Sequence, residues 1–76
     1  GGRARLAEVR LADDSPARDK EIVDLGLPRD STVVAILRND KVVVPRGDTM
    51  IRAGDEVLVL VTEDSEIDVR KILTGA

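Results

Sequence analysis

Apolar and polar positions along the chain fall into four short extended runs separated by turn-rich or helix-like stretches. Residues 5–11, RLAEVRL, alternate: Ala7, Val9 and Leu11 point one way, Glu8 and Arg10 the other. That period predicts a strand with one wet face, with Leu6 on the wet side. Thr32 to Leu37, TVVAIL, is apolar on both faces. Arg38-Asn39-Asp40-Lys41 then reads as a tight hairpin, because Asn and Asp tolerate positive φ at its two central positions. Val42-Val43-Val44 returns as a third strand, stopped by Pro45. The fourth run, from Glu56, carries five consecutive apolar residues, Val57 to Val61. A strand without alternation is covered on both faces, so this one is expected at the centre of the sheet. In so small a chain its own helices can cover one sheet face. The other face calls for a second copy.

Two stretches carry helix signals. Asp13-Asp14-Ser15-Pro16 looks like a helix start, with Ser15 as cap and Pro16 at the first helical position. The predicted helix runs to Leu25 with Ile22, Val23 and Leu25 on its apolar side. Gly26 suits the left-handed residue past its end, Leu27 folds back onto Ile22, and Pro28 blocks continuation. A second helix is predicted from Ser65 to Leu73. Glu63, Asp64, Glu66 and Asp68 lie near its start, Arg70 and Lys71 near its end, and Val69, Ile72 and Leu73 share one side. Gly47-Asp48 and Gly54-Asp55 mark turns in the connector 45–55, which Met50 and Ile51 anchor to the core. The order β-α-β-β-β-α predicts an α+β fold, a small four-stranded mixed β-sheet with two helices. The start Gly1-Gly2 without Met suggests a domain cut from a longer protein, with residues 1–4 a remnant or linker and residues 5–74 the domain.

Composition narrows the chemistry. The 76 residues include no Cys, His, Phe, Tyr or Trp. Disulfides and thiolate metal sites are excluded, and the commonest metal ligand and general base are missing. Ser15, Ser31 and Ser65 have no evident base partner, so no catalytic residue is assigned. The net charge of −3 and the lack of aromatic residues speak against nucleic acid as a partner. No apolar run approaches the roughly 20 residues that cross a bilayer, so direct membrane insertion is not expected. The chain is expected to be cytoplasmic. Arg46-Gly47-Asp48 matches an adhesion tripeptide that a chain of this kind carries by chance. Asp13, Asp14 and Asp19 read as solvated or dipole-pairing acids. A carboxylate cation site using Asp13, Asp14, Asp48 or Asp55 is the alternative, although no metal ligand is assigned. Arg38, Asn39, Lys41 and Arg46 make a positive spot at the hairpin and its exit. They read either as a solvated hairpin tip or as an anion or nucleotide contact, with Arg38 or Arg46 on phosphate oxygens.

The order and spacing of these features resemble the TrkA-C domain, the C-terminal subdomain of RCK domains. The matching positions are Ser15-Pro16, Asp19-Lys20, Leu25-Gly26-Leu27-Pro28, Val33 to Arg38, Val42 to Pro45, Gly47-Asp48 with Ile51, and Gly54-Asp55 before Val57. The resemblance covers residues 5–74. It implies a homodimeric regulatory domain of a potassium uptake or channel gating subunit, or of a cation/proton antiporter, at the inner face of the cell membrane. A purely structural assembly domain is the alternative. NAD or ATP would belong to a neighbouring Rossmann-type subdomain. Some members bind cyclic di-AMP at the dimer interface, and the positions matching their contacts are Val34, Ile36, Arg38, Asn39 and Pro45.

Overall fold

The computed structural model describes residues 3–76; Gly1 and Gly2, the first half of the expected remnant, lie outside the described residues. Four strands form one sheet: β1 (Ala4–Arg10), β2 (Ser31–Arg38), β3 (Lys41–Val43) and β4 (Glu56–Thr62). One α-helix, α1 (Glu66–Thr74), follows a single 3-10 turn, Glu63–Ser65. The α+β class and the four strands are those expected. Two details differ.

The sheet is antiparallel throughout, not mixed. Its order is β1-β4-β2-β3, and all three neighbouring pairs are antiparallel. A helical crossover from β1 to β2 would normally leave the two strands as parallel neighbours. Here β1 and β2 do run in the same direction, but β4 inserts between them. The run apolar on both faces is therefore central, as its pattern required.

The first predicted helix is absent. Residues 12–21 form turns and a bridge, and the only helical turn is the 3-10 segment Ile22–Asp24. Asp19 has φ 63°, which interrupts any helix. Beyond it the backbone pairs with the connector instead: Asp19 N–H donates to Ile51 C=O (2.6 Å), Ile51 N–H to Lys20 C=O (2.9 Å), Ile22 N–H to Thr49 C=O (3.0 Å) and Val23 N–H to Gly47 C=O (2.9 Å). From this stretch only Ala17 is fully buried in the core; Ile22 and Leu25, with Leu27 beyond it, pack against the core part-buried, and Val23 stays exposed. That is too narrow a stripe to hold a helix by packing. Gly26 does take the left-handed conformation, φ 68°, but after one 3-10 turn.

Ser15 does more than begin a turn. It is buried, accepts the Ala17 N–H (3.3 Å) and donates its hydroxyl proton to Leu73 C=O near the end of α1. It thereby satisfies a helix-end carbonyl from a distant loop. Gly75, φ 79°, closes the helix in the left-handed conformation.

The core lies on one face of the sheet. Ala7 and Val9 of β1, Ile36 of β2 and Val57, Val59 and Val61 of β4 pack under Val69 and Leu73 of α1, with Leu11, Ala17 and Ile51 from the loops. A register shift between Val33 and Ala35 adjusts β2 to this face. It lets Val33 and Ile36, three apart in β2, oppose Val59 and Val57, two apart in β4.

Candidate functional site

The β2–β3 hairpin forms as predicted. Arg38 pairs with Lys41, and Asn39 (φ 51°) and Asp40 (φ 62°) take the two positive-φ positions of its turn. The expected site residues surround it in different states. Val34 is 45% exposed and sits at the register shift. Asn39 is exposed at the tip, Pro45 is half-buried just past β3, and Arg46 is exposed on the connector. Ile36 faces the other way, fully buried in the core opposite Val57 and Val43.

Arg38 is held by a partner that sequence reasoning missed. Its Nε donates to Asp55 Oδ1 (2.9 Å) and its Nη2 to Asp55 Oδ2 (2.8 Å), with a further bond from Nη2 to Met50 C=O (2.9 Å). Asp55 is 1% exposed and also accepts the Arg52 N–H at Oδ2 (2.9 Å). Burial pushes the Asp55 carboxyl up. The Arg38 and Arg52 hydrogen bonds and both guanidinium charges outweigh it and hold the carboxyl below its ordinary value. Asp55 had looked like a turn residue beside Gly54. Nothing local in the sequence links it to a position seventeen residues earlier. By contrast, among the described residues the Arg46 guanidinium makes no ion pair; only its backbone is engaged, through Thr49.

A cavity of about 410 Å³ opens beside the hairpin tip, lined by Arg10, Leu37, Asn39, Asp40, Gly54 and Glu56. A second, of about 330 Å³, lies at the other end of the sheet and is lined mostly by apolar surface, including Leu60 and Thr32. Beside it Asp30 accepts the Thr62 hydroxyl (2.6 Å) and the Ser65 hydroxyl (2.7 Å), which hold its carboxyl below the ordinary value. The acidic alternative gains no support from this arrangement. Among the described residues no three acidic side chains converge as a cation site would need, and Asp55 is occupied by Arg38. No described helix is long and apolar enough to cross a membrane.

The broadest feature is the sheet face opposite α1. Leu6, Leu58, Leu60, Ala35, Leu37 and Val42 alternate with the buried positions and so share this face. Leu6 is 56% exposed, Leu60 43% and Val42 66%. Charges on it (Glu8, Arg10 and Glu56) gather at one corner, next to the hairpin. Large exposed apolar faces of this kind mark interaction surfaces.

The model of the TrkA-C domain family matches residues 6–74. The Trk system potassium uptake protein TrkA homolog of Archaeoglobus fulgidus is 43% identical over 68 residues, 88% of this chain and 16% of that protein. The TrkA of Mycobacterium tuberculosis is 38% identical over 72 residues, 95% of this chain and 33% of that protein. The chain thus spans a third or less of these relatives. Among solved structures, an RCK_C domain dimer of S. agalactiae BusR in complex with c-di-AMP superposes with a TM-score of 0.75 at 26% identity, covering 88% of this chain and 92% of that one. A longer chain of BusR, in complex with its busAB-promotor DNA, superposes equally well, but only 34% of it is covered. The exclusion of nucleic acid read from charge therefore does not extend to every protein that carries this fold.

Proposed function

The chain belongs to the TrkA-C domain family, and on that premise we propose that it is the ligand-sensing and dimerising regulatory domain of a potassium uptake or channel gating subunit. The observation that carries the reading is the apolar sheet face opposite α1. A chain of 76 residues buries only about 60% of the surface its unfolded form exposes. A second copy on the Leu6–Leu58–Leu60 face supplies the missing half of the core. Cyclic di-AMP is the proposed ligand, bound across that dimer near Val34, Asn39, Pro45 and Arg46. Ligand acts by binding one arrangement of the two copies better than another, and the full-length subunit passes the difference to its membrane partner. The setting is the cytoplasmic side of the membrane, with NAD or ATP confined to a neighbouring subdomain. DNA is not proposed as a partner of this domain, given its net charge of −3.

One observation favours a second reading, an assembly domain that takes no ligand. Arg38, the most central cation of the expected site, is already engaged by Asp55. Two measurements on the same sample separate the readings. Sedimentation at high micromolar concentration reports the dimer, which both require. Thermal unfolding with cyclic di-AMP at about 100 times its dissociation constant reports the ligand: native-state binding adds roughly 2.7 kcal/mol. That raises the midpoint by on the order of 10 °C in a domain this small. A dimer without a shift leaves the assembly reading; a strict monomer removes both.

A further inference from the structure

Three arginines lie on or beside the connector that leaves the hairpin, and the structure leaves them in different states. Arg52 reaches Asp19 at the surface (2.9 Å), and Arg38 holds the buried Asp55. Arg46 is exposed and has no ion-pair partner among the described residues. Recruiting Arg38 to a ligand phosphate would strip a carboxylate that is 1% exposed of its countercharge, and a buried charge without its partner is strongly unfavourable. The same pair has a second consequence. Through Met50 C=O and the Arg52 N–H it ties the end of β2 to the far end of the connector. Ile51, fully buried, pins the segment between them. The connector begins with Pro45 and Arg46, so the clamp fixes the far end of the segment that carries them.

We infer that Arg38 and Asp55 are positioning residues of the ligand site, and that the guanidinium meeting the ligand's phosphodiester is Arg46. This rests on the ligand-sensing reading above. Arg10 and Lys41 are the other cations near the hairpin. Arg10 stands opposite Glu56, whose carboxylate repels a phosphate there, which leaves Lys41. It shares a face with Arg38 and Val43, the covered side of the sheet, and as an ammonium it lacks the fork that grips two phosphate oxygens. Arg46 follows Pro45 directly and can present that fork to solvent or to a second copy.

The two roles for Arg38 predict opposite results for Asp55→Asn. A positioning clamp, once broken, releases the connector, and cyclic di-AMP binding weakens. A direct phosphate contact, once freed from Asp55, binds as well as before or better. The experiment is calorimetric titration of cyclic di-AMP into the wild-type chain, Asp55→Asn and Arg46→Gln at several salt concentrations, with a melting curve for each. Losing a charge-assisted hydrogen bond weakens binding about tenfold to a hundredfold. We expect that loss in Arg46→Gln with an unchanged melting midpoint and a flattened salt dependence. Asp55→Asn weakens binding while keeping the wild-type salt dependence, because the phosphate contact itself survives. Unchanged or tighter binding by Asp55→Asn overturns the inference. So does unchanged binding by Arg46→Gln, which decides the matter alone if Asp55→Asn does not fold. A wild-type chain that binds no cyclic di-AMP overturns the ligand-sensing reading, and the inference with it.

Discussion

On the covered face of the sheet Val57, Val59 and Val61 are at most 1% exposed, whereas Leu60, in the same strand, is 43% exposed. Both faces carry aliphatic residues, the open one with Glu8, Arg10 and Glu56 at one corner, and what covers the two differs. On one side α1, the turn segment 11–27 and Ile51 close over the strands. On the other none of the described segments closes over the strands, and the stretch expected as a second helix runs as a ribbon along the connector. Apolar content alone thus does not tell which face the chain's own segments cover. The covered face is a property of one molecule. If the open face is the proposed dimer interface, it becomes a core only at a concentration where copies meet.

That difference can be broken from either side. The largest effect is expected inside. Ile51→Ala empties a fully buried position that holds the connector, at a cost of about 2–5 kcal/mol. Urea unfolding should register it equally at low and high protein concentration; a loss that appears only at high concentration would mean that Ile51 serves the interface. Next comes the open face. Leu60→Asp places a charge where a second copy would bury it, so dimer association should fall by a hundredfold or more, about 3 kcal/mol by the cost of an unpaired buried charge. At dilutions where the wild type is monomeric its stability should stay within about 0.5 kcal/mol, as for other surface changes. Sedimentation equilibrium and dilute-sample unfolding measure the two quantities.

Acid acts on the covered side through Asp55. Its folded carboxyl titrates below the ordinary value of 3.8, so the stabilisation is complete above that value and is lost as pH falls through the lower, folded one. The stability difference between wild type and Asp55→Asn should therefore be constant from pH 7 to pH 5 and shrink only in strong acid. A decline already evident between pH 7 and pH 5 would contradict the clamp. The smallest effect is expected at the surface pair Arg52–Asp19, whose side chains are 53% and 63% exposed. Arg52→Ala should cost no more than about 1 kcal/mol, the usual limit for exposed ion pairs, and added salt should erase the difference.

Local pattern was enough for the strands, the hairpin and the second helix. Asn39-Asp40 needs positive φ at two adjacent positions, and that is a property of four residues. The helix over 66–74 carries its own apolar side and its own charge gradient. The central place of β4 was likewise legible in its five consecutive apolar residues, although its Leu60 face stays open in the single chain. The segment 13–25 was misread because its signals are local and its fate is not. Ser15-Pro16 can begin a helix, but the buried Ser15 hydroxyl is claimed by Leu73 C=O, and the backbone from Asp19 to Val23 is claimed by the connector. The burial of Ile36 and the pairing of Arg38 with Asp55 are likewise set by distant contacts. A sequence displays residue types and their spacing, and these fix period, turn chemistry and total apolar content. Which of two similar faces is covered, which arginine is already spent on a carboxylate seventeen residues away, and that β4 slips between β1 and β2 depend on contacts between distant segments. Only the tertiary structure sets those, because each is decided by competition among many partners for the same buried space.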